Sequence, residues 1–454
     1  MSIRDKLSRF LKKKPVHKRQ TKDLVPRVQP SGPALRDRLH ALSDLQSQLS
    51  ALTDDGELIT FEQIRQWQPG LGGNPRVFKT VESLSANTRH GARSLAPNPP
   101  FNGELLAKVV GEPRLAEFEI DDALFIDIEA TGLSHGAGTL AFMIGIGWYE
   151  DAENFRVEQI VLKDPNDELE QLKELKKHLE RKSFLVSFNG KSYDLSVLQS
   201  RMAMHRLYSP RESELKLTPH IDLLHLYRAI WGKSLPNCRL GTLEEAILGW
   251  KRENDVPGAI VPSLYFAYLQ TGDARTLDPI LKHNRWDILS MVSLLFFISH
   301  EVSHPEDIQE HQRLIQLGHL LNRRGEFQSS KNIADHLLQR NLAREQQNAA
   351  LHIGIKAVKS LKQHHLLYPL LHTLTEQFPE DGPGWIERSK YEEHRLKDYV
   401  AALHSAKRAV ELEPIMANDI ERRLNRLTRK VGSTTSQRRS SSHSLTGQVP
   451  AQFS

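Results

Sequence analysis

The sequence predicts an α/β domain, a mixed sheet with helices on its faces, followed by an all-α helical domain. Three observations carry this expectation. Between residues 105 and 205, short apolar runs come first and then alternate with segments of helical spacing. From about residue 303 to 430 the spacing is helical throughout. Within that stretch the chain resembles itself at a period near 35 residues, as stacked helical units do.

The elements follow in order. Residues 1–34 contain Pro15, Pro26, Pro30 and Pro33 and read as a disordered basic tail, with a short amphipathic helix at Ile3–Leu11. Residues 35–104 read as a lead-in packed on the core, helical at first through Leu39, Leu42, Leu45 and Leu49. The core spans 105–302. LLAKVV, LFIDIEA, TLAFMIGIGWYE and FRVEQIVL read as successive strands, Glu168–Arg181 as a helix, FLVSF as a strand and Tyr193–His205 as a helix. Residues 303–430 hold about three degenerate units. Pro379 and Pro414, 35 apart, each close a helical stretch. Leu317, Gly318, Gly325, Phe327 and Ala334, and later Ala402 and Ala409, have spacings that resemble a tetratricopeptide repeat; an irregular helical bundle is the alternative. Residues 431–454 look disordered on composition.

Charge and cysteine content narrow the functional classes. The net charge is +5, yet residues 1–40 hold 12 Lys/Arg against three Asp/Glu, so the remainder is about −4. The basic excess is a tail, which either contacts nucleic acid or merely solubilises. A single cysteine, Cys238, excludes an intramolecular disulfide and a Cys-x-x-Cys zinc site. The apolar stretch Ile288–Ser299 is too short to span a bilayer, and the basic N-terminus lacks an apolar signal core. A cytoplasmic protein without membrane contact is expected.

Three acidic segments carry the chemistry. In LFIDIEATG (124–132), Asp127 and Glu129 are two apart on a strand and share one face. Two carboxylates that close raise each other's pKa unless neutralised. A pair of divalent cations about 4 Å apart would neutralise them and is the usual device for in-line attack on a phosphodiester. A solvated strand end is the plainer alternative. In FLVSFNGKSYDLSVL (184–198), Asn189-Gly190 signals a turn and Asp194 enters the first turn of a helix, where capping alone would account for it. In DPILKHNRWDILSMVSLLFFIS (278–299), Asp278 and Pro279 suit a helix start. His283 and Asp287 share one helix face there. They are either a surface pair or a metal ligand with a general base.

The ordered set resembles the DEDD exonuclease superfamily, which has a ribonuclease-H-like fold. The resemblance lies in Asp127-x-Glu129-x-Thr131-Gly132, in Asn189-x-x-x-Tyr193-Asp194 and in His283-x-x-x-Asp287. The last has the histidine of one subclass and the spacing of the other. Over roughly 75–300 the chain resembles more closely the YprB-type predicted exonucleases, in FNGKSYDLSVL, HIDLLHLYRAIW, CRLGTLE, DVPG (255–258) and HNRWDIL. The resemblance implies that Asp127, Glu129 and Asp287 hold one ion and that Asp127 bridges to a second near Asp194. Mg²⁺ or Mn²⁺ suits such an all-oxygen set. It implies that His283 takes a proton from the attacking water. It also implies that Thr131 and Gly132 meet the terminal nucleotide. Asn189 either joins them at the substrate or only holds its turn. One residue along an α-helix rotates a side chain by about 100°. The short His283–Asp287 spacing therefore leaves two readings: the helix stops or bends near Asn284, or His283 serves structure. Asp222 reads as a helix cap or a residue behind the ligands, Tyr193 as core, Asp255 as a turn residue or one near substrate, and Lys191 and Arg285 as solvated or phosphate-contacting.

Two functions from different classes follow. The first is a 3′–5′ exonuclease on single-stranded DNA or RNA, its direction implied by the resemblance, with the repeats recruiting a protein partner. The second is a nucleic-acid-binding docking protein with little or no nuclease activity.

Overall fold

The computed structural model describes residues 76–97, 100–132, 138–208, 218–412 and 420–432. The basic tail, the helices expected at 3–11 and 36–52, and residues 433–454 lie outside these. The chain divides into two compact units. One runs to Arg228 and resumes over Leu235–Ser303; the other comprises Ala229–Ser234 and the residues from His304 onward.

The first unit contains strands β1 (Val77–Ser85), β2 (Arg89–His90) and β3 (Arg93–Ser94), helix α1 (Gly103–Val110), strands β4 (Ala123–Ala130), β5 (Ala141–Tyr149) and β6 (Asn154–Leu162), helix α2 (Glu168–Leu179), strand β7 (Phe184–Ser187) and helix α3 (Asp194–Met204). After these come β8 (His220–Asp222), α4 (Leu223–Trp231), a short α5 (Leu240–Leu243), α6 (Val261–Thr271) and α7 (Asp278–Ser303). Six strands make one sheet in the order β1-β6-β5-β4-β7-β8. The pairs β1/β6, β6/β5 and β5/β4 are antiparallel; β4/β7 and β7/β8 are parallel. This is the mixed α/β sheet that the sequence predicts.

Alternation along β4 decides which face receives the acids. Leu124, Ile126 and Ile128 form one core with Leu172, Leu175 and Leu179 of α2 and Leu195, Leu198 and Met202 of α3. Phe125, Asp127 and Glu129 therefore face the opposite side, where α7 packs on β4, β5 and β6. Glu168, 1% exposed, ties α2 to α3: it accepts from Arg201 Nε at 2.5 Å, and His205 Nε2 lies 2.7 Å away.

Two expectations are corrected. LLAKVV is helical, within α1, not a strand. Asn102 caps it by accepting from the Leu105 N–H, Glu104 and Lys108 pair across one turn, and Gly111 closes it in the left-handed conformation. The sheet also begins earlier than residue 105, because β1 pairs along its whole length with β6. The helical stretch Ala274–Ser303 has the length and hydropathy of a membrane-crossing helix, but 72% of its apolar window is buried in the fold. It serves as the core helix against the sheet.

The second unit is all helical: α8 (His311–Arg324), α9 (Phe327–Leu338), α10 (Arg344–Ser360), α11 (His364–Gln377), α12 (Gly382–Tyr391) and α13 (Tyr399–Leu412), with residues 420–432 also helical. Consecutive helices pack together, and α8 also meets α10. Gly318 makes that approach close, since a Cβ there would sit 3.1 Å from Ile353 and 3.3 Å from Ile333. Pro379 ends its stretch as expected, between α11 and the Asp381 cap of α12. Pro414 lies outside the described residues.

Glu393, 0% exposed, accepts from Arg423, Arg426 and Lys430 and so fastens the last helical segment. The Arg426 hydrogen bond, with help from Lys430 and Arg423, holds its carboxyl down from 4.5 to about 2. A carboxyl held low stabilises the fold fully above its unfolded value and loses that contribution as pH falls through its folded one. Between pH 4.5 and about 2, the melting temperature of wild type is expected to fall more steeply than that of Glu393→Gln. Parallel slopes in calorimetry would show that the cluster contributes nothing.

Candidate active site

The site rests on two glycines in β5. Gly145 pairs with Asp127, and Gly147 with Phe125. A Cβ on Gly145 would fall 2.0 Å from Asn284 Oδ1, and one on Gly147 would fall 2.6 Å from Ile288 and Phe155. Without side chains there, α7 lies close on the sheet and the fully buried Asn284 reaches across β5. Its Nδ2 donates to Asp127 Oδ2 at 2.9 Å. Its Oδ1 accepts from Gln159 Nε2 at 2.9 Å, and Gln159 Oε1 accepts from Thr80 Oγ1 at 3.0 Å. A buried polar chain thus runs from β1 through β6 and α7 to Asp127. Burial makes each of these bonds costly to leave unmade.

α7 runs unbroken through Asn284, so the helix does not stop there. His283 and Asp287 are one turn apart on a regular helix, over the end of β4. His283 Nε2 is 3.6 Å from Asp287 Oδ2 and 3.9 Å from Glu129 Oε1. One ligand atom from each of Glu129, His283 and Asp287 lies within 4.8 Å of the others.

Asp194 enters from α3, 7% exposed. The turn before it is fixed by backbone chemistry. Asn189 takes a left-handed φ of 68°. Gly190 leaves room where a Cβ would meet Ser187 Oγ at 2.4 Å and Asp194 Oδ2 at 3.1 Å. Asp222, 3% exposed, accepts the N–H groups of Asn189 at 2.9 Å, Lys191 at 3.0 Å and Leu224 at 3.1 Å. Asp222 therefore holds the turn and caps α4. The Asn189 bond to Asp222 is a backbone one, and its residue is exposed. Thr131 closes the loop after β4: its N–H donates to Leu140 O at 2.9 Å and its Oγ1 accepts from Leu140 N at 3.0 Å. Tyr193 OH donates to Gly132 O, joining the second acidic segment to the first. Tyr193 is half-buried against the core.

The electrostatics show how crowded these charges are. Burial, then the charges of Asp287, Asp194 and Glu129, push the Asp127 carboxyl well above its usual range. Burial, then Asp287, Asp194 and Asp255, do the same to Glu129. Burial, then Asp222 and Asp287, raise Asp194 to about 7. Burial disfavours a charged His283, but its hydrogen bond to Asp255 and the charges of Asp287 and Asp255 outweigh this and hold the imidazole above its usual value. Arg252 counters part of the charge. It donates to Asp287, to Glu244 at 2.6 and 2.8 Å, and to Asp255 at 3.2 Å.

The sequence reading missed Asn284, Gly145, Gln159, Arg252 and Glu244. Asn284 stood inside a quoted motif but was weighed only as a helix break. The GIG run in an otherwise branched strand was the available signal for Gly145. Arg285, read as solvated or phosphate-contacting, pairs with Glu82 of β1.

Comparison with known proteins agrees with this fold. Residues 124–299 match the family model described as the RNase H superfamily. The chain is also 28% identical over 321 residues to the uncharacterized protein YprB of Bacillus subtilis (strain 168), covering 69% of this chain and 76% of that protein. Residues 124–299 thus form a ribonuclease-H-like domain, in a chain similar to YprB over about two thirds of its length.

Proposed function

We propose that the chain is a metal-dependent nuclease that shortens single-stranded DNA or RNA from the 3′ end. The observation that carries the reading is the convergence of Glu129, His283 and Asp287 within 4.8 Å beside the buried Asp127 and Asp194. Carboxylates so crowded hold protons above their usual range, and a fold gains by exchanging those protons for divalent cations. The donors fit hard cations, being carboxylate oxygens. Asp127, Glu129, Asp194 and Asp287 would hold Mg²⁺ or Mn²⁺, two ions in our reading. Bound there, such ions would neutralise charge developing on the phosphoryl oxygens and lower the pKa of water. His283, with Nε2 directed at Glu129 and Asp287, takes the proton of the attacking water in its neutral form, which cations offsetting the Asp287 charge would favour. Thr131 and Gly132 close the end of β4 where the terminal nucleotide would sit, and Asn189 stands exposed on the turn before Asp194. The helical pairs of the second unit are the surface we assign to a protein partner, and we assign the whole to the cytoplasm.

The test is digestion of end-labelled single-stranded DNA and RNA with Mg²⁺ or Mn²⁺. Stepwise shortening from the 3′ end is expected. Internal fragments would replace the exonuclease reading with an endonuclease one. No cleavage with either metal would favour the docking protein instead.

A further inference from the structure

Asp255 follows the short α5 region in a loop that the proposed reaction has not yet used. Its Oδ1 lies 2.7 Å from His283 Nδ1. Its Oδ2 accepts from Arg252 Nη1 at 3.2 Å. Arg252 in turn is gripped by both oxygens of Glu244, which is 1% exposed. Glu244 also accepts from Ser290 Oγ of α7, and that hydroxyl is 2.8 Å from His90 Nε2. Asp255 therefore stands on a frame anchored to the same helix that carries His283.

The distances settle where the ring proton sits. A carboxylate oxygen 2.7 Å from a ring nitrogen requires a proton between them, so Nδ1 is a donor. Arg252 Nη1, 3.2 Å from Nδ1, cannot then donate to it and is a neighbour only. In the neutral ring, Nε2 is left as the acceptor, 3.6 Å from Asp287 and 3.9 Å from Glu129.

We propose that Asp255 is a positioning residue: it fixes His283 as the Nδ1–H tautomer and aims Nε2 at the acidic cluster. The inference rests on the reading of His283 as the base. As the water oxygen bonds to phosphorus, its proton passes to Nε2. The bond from phosphorus to the leaving sugar oxygen breaks with its electron pair, and that oxygen takes a proton from solvent. Asp255 stabilises the imidazolium until it releases its proton to solvent. The same contact explains how a histidine only four residues from Asp287 serves this role, because the ring is turned by Asp255 and not by helix register alone.

The experiment is a double-mutant cycle on cleavage of end-labelled single-stranded oligonucleotides with Mn²⁺, using Asp255→Asn, Asp255→Ala, His283→Ala and the pairs. In Asp255→Asn the amide oxygen faces Arg252, the amide NH₂ faces Nδ1, and the ring proton moves to Nε2. A fall in kcat of about 10²-fold with KM unchanged is expected. In the His283→Ala background the same change should cost almost nothing. The rise in melting temperature on adding Mn²⁺ should persist in Asp255→Asn. Additive losses would make Asp255 a folding residue, and loss of the Mn²⁺ effect would make it an ion ligand; either overturns the inference. If Asp255→Ala fails to fold, the amide variant carries the cycle alone. Wild type that cuts while the cycle is additive sinks this inference by itself, whereas wild type that cuts nothing sinks the nuclease reading and this one with it.

Discussion

Asp127→Asn is expected to lower nuclease turnover by on the order of 10³-fold or more, about 4 kcal/mol of barrier, while making the metal-free protein more stable. Both effects come from one charge. Asp127 faces the charges of Asp287, Asp194 and Glu129 in a buried setting, and its carboxyl is pushed far up in consequence. An amide of the same shape keeps an oxygen for Asn284 Nδ2, now 2.9 Å from Asp127 Oδ2, and removes the charge. Relief of like-charge repulsion of this kind contributes about 1–2 kcal/mol. Without the carboxylate, Mn²⁺ should no longer raise the melting temperature as it does for wild type. Calorimetry with and without Mn²⁺, beside the digestion assay, gives all three readouts. A variant that melts lower than wild type without metal, or that still cuts at the wild-type rate, would be incompatible with a charge-strained ion site.

Gly145→Ala should be strongly destabilising, because among the described glycines its Cβ would make the shortest contact. The new Cβ would stand 2.0 Å from Asn284 Oδ1 and 2.6 Å from its Cγ and Nδ2. Asn284 cannot simply swing away, because it is 0% exposed and bonded to both Gln159 and Asp127. Either α7 lifts off the sheet or the amide abandons its partners, at a cost of about 2–4 kcal/mol. Lifting α7 also moves His283 and Asp287 away from Glu129, and an error of about 1 Å in such a site can lose 10²-fold in rate. A second change, Asn284→Ala, removes the obstructing amide and should restore part of the lost stability. Denaturant melts of the two single variants and the double variant measure this coupling. If the double variant is as unstable as the sum of the singles, the clash at Gly145 is not the cause.

How much of this was visible in the sequence depended on distance along the chain. The acids stood out because a strand shows its chemistry at i and i+2 and a helix at i and i+4, which gave Asp127 with Glu129 and His283 with Asp287. The sheet class was legible because β5 is almost wholly apolar, as strands covered on both faces are, while β4 opens on an apolar run and β6 closes on one. LLAKVV misled because a short apolar run fits either element, and the Asn102 and Gly111 caps decide it. The supports of the site were not legible, since each joins distant segments. Gln159 meets Asn284 across 125 residues, and Asp255 meets His283 across 28. Nothing local in DVPG distinguishes a turn aspartate from one that orients an imidazole.

The polar chain from Thr80 to Asp127 has a consequence in time. Its members come from β1, β6, α7 and β4, so it cannot exist until α7 has been synthesised. A chain grown at roughly 5–20 residues per second needs about 8 to 30 seconds to pass from Glu129 to His283. Throughout that interval the carboxylates of β4 stand apart from Asp287, and no ribosome-bound fragment ending before α7 can gather the cluster. The helix that completes the core is thus also the last part of the site to be made.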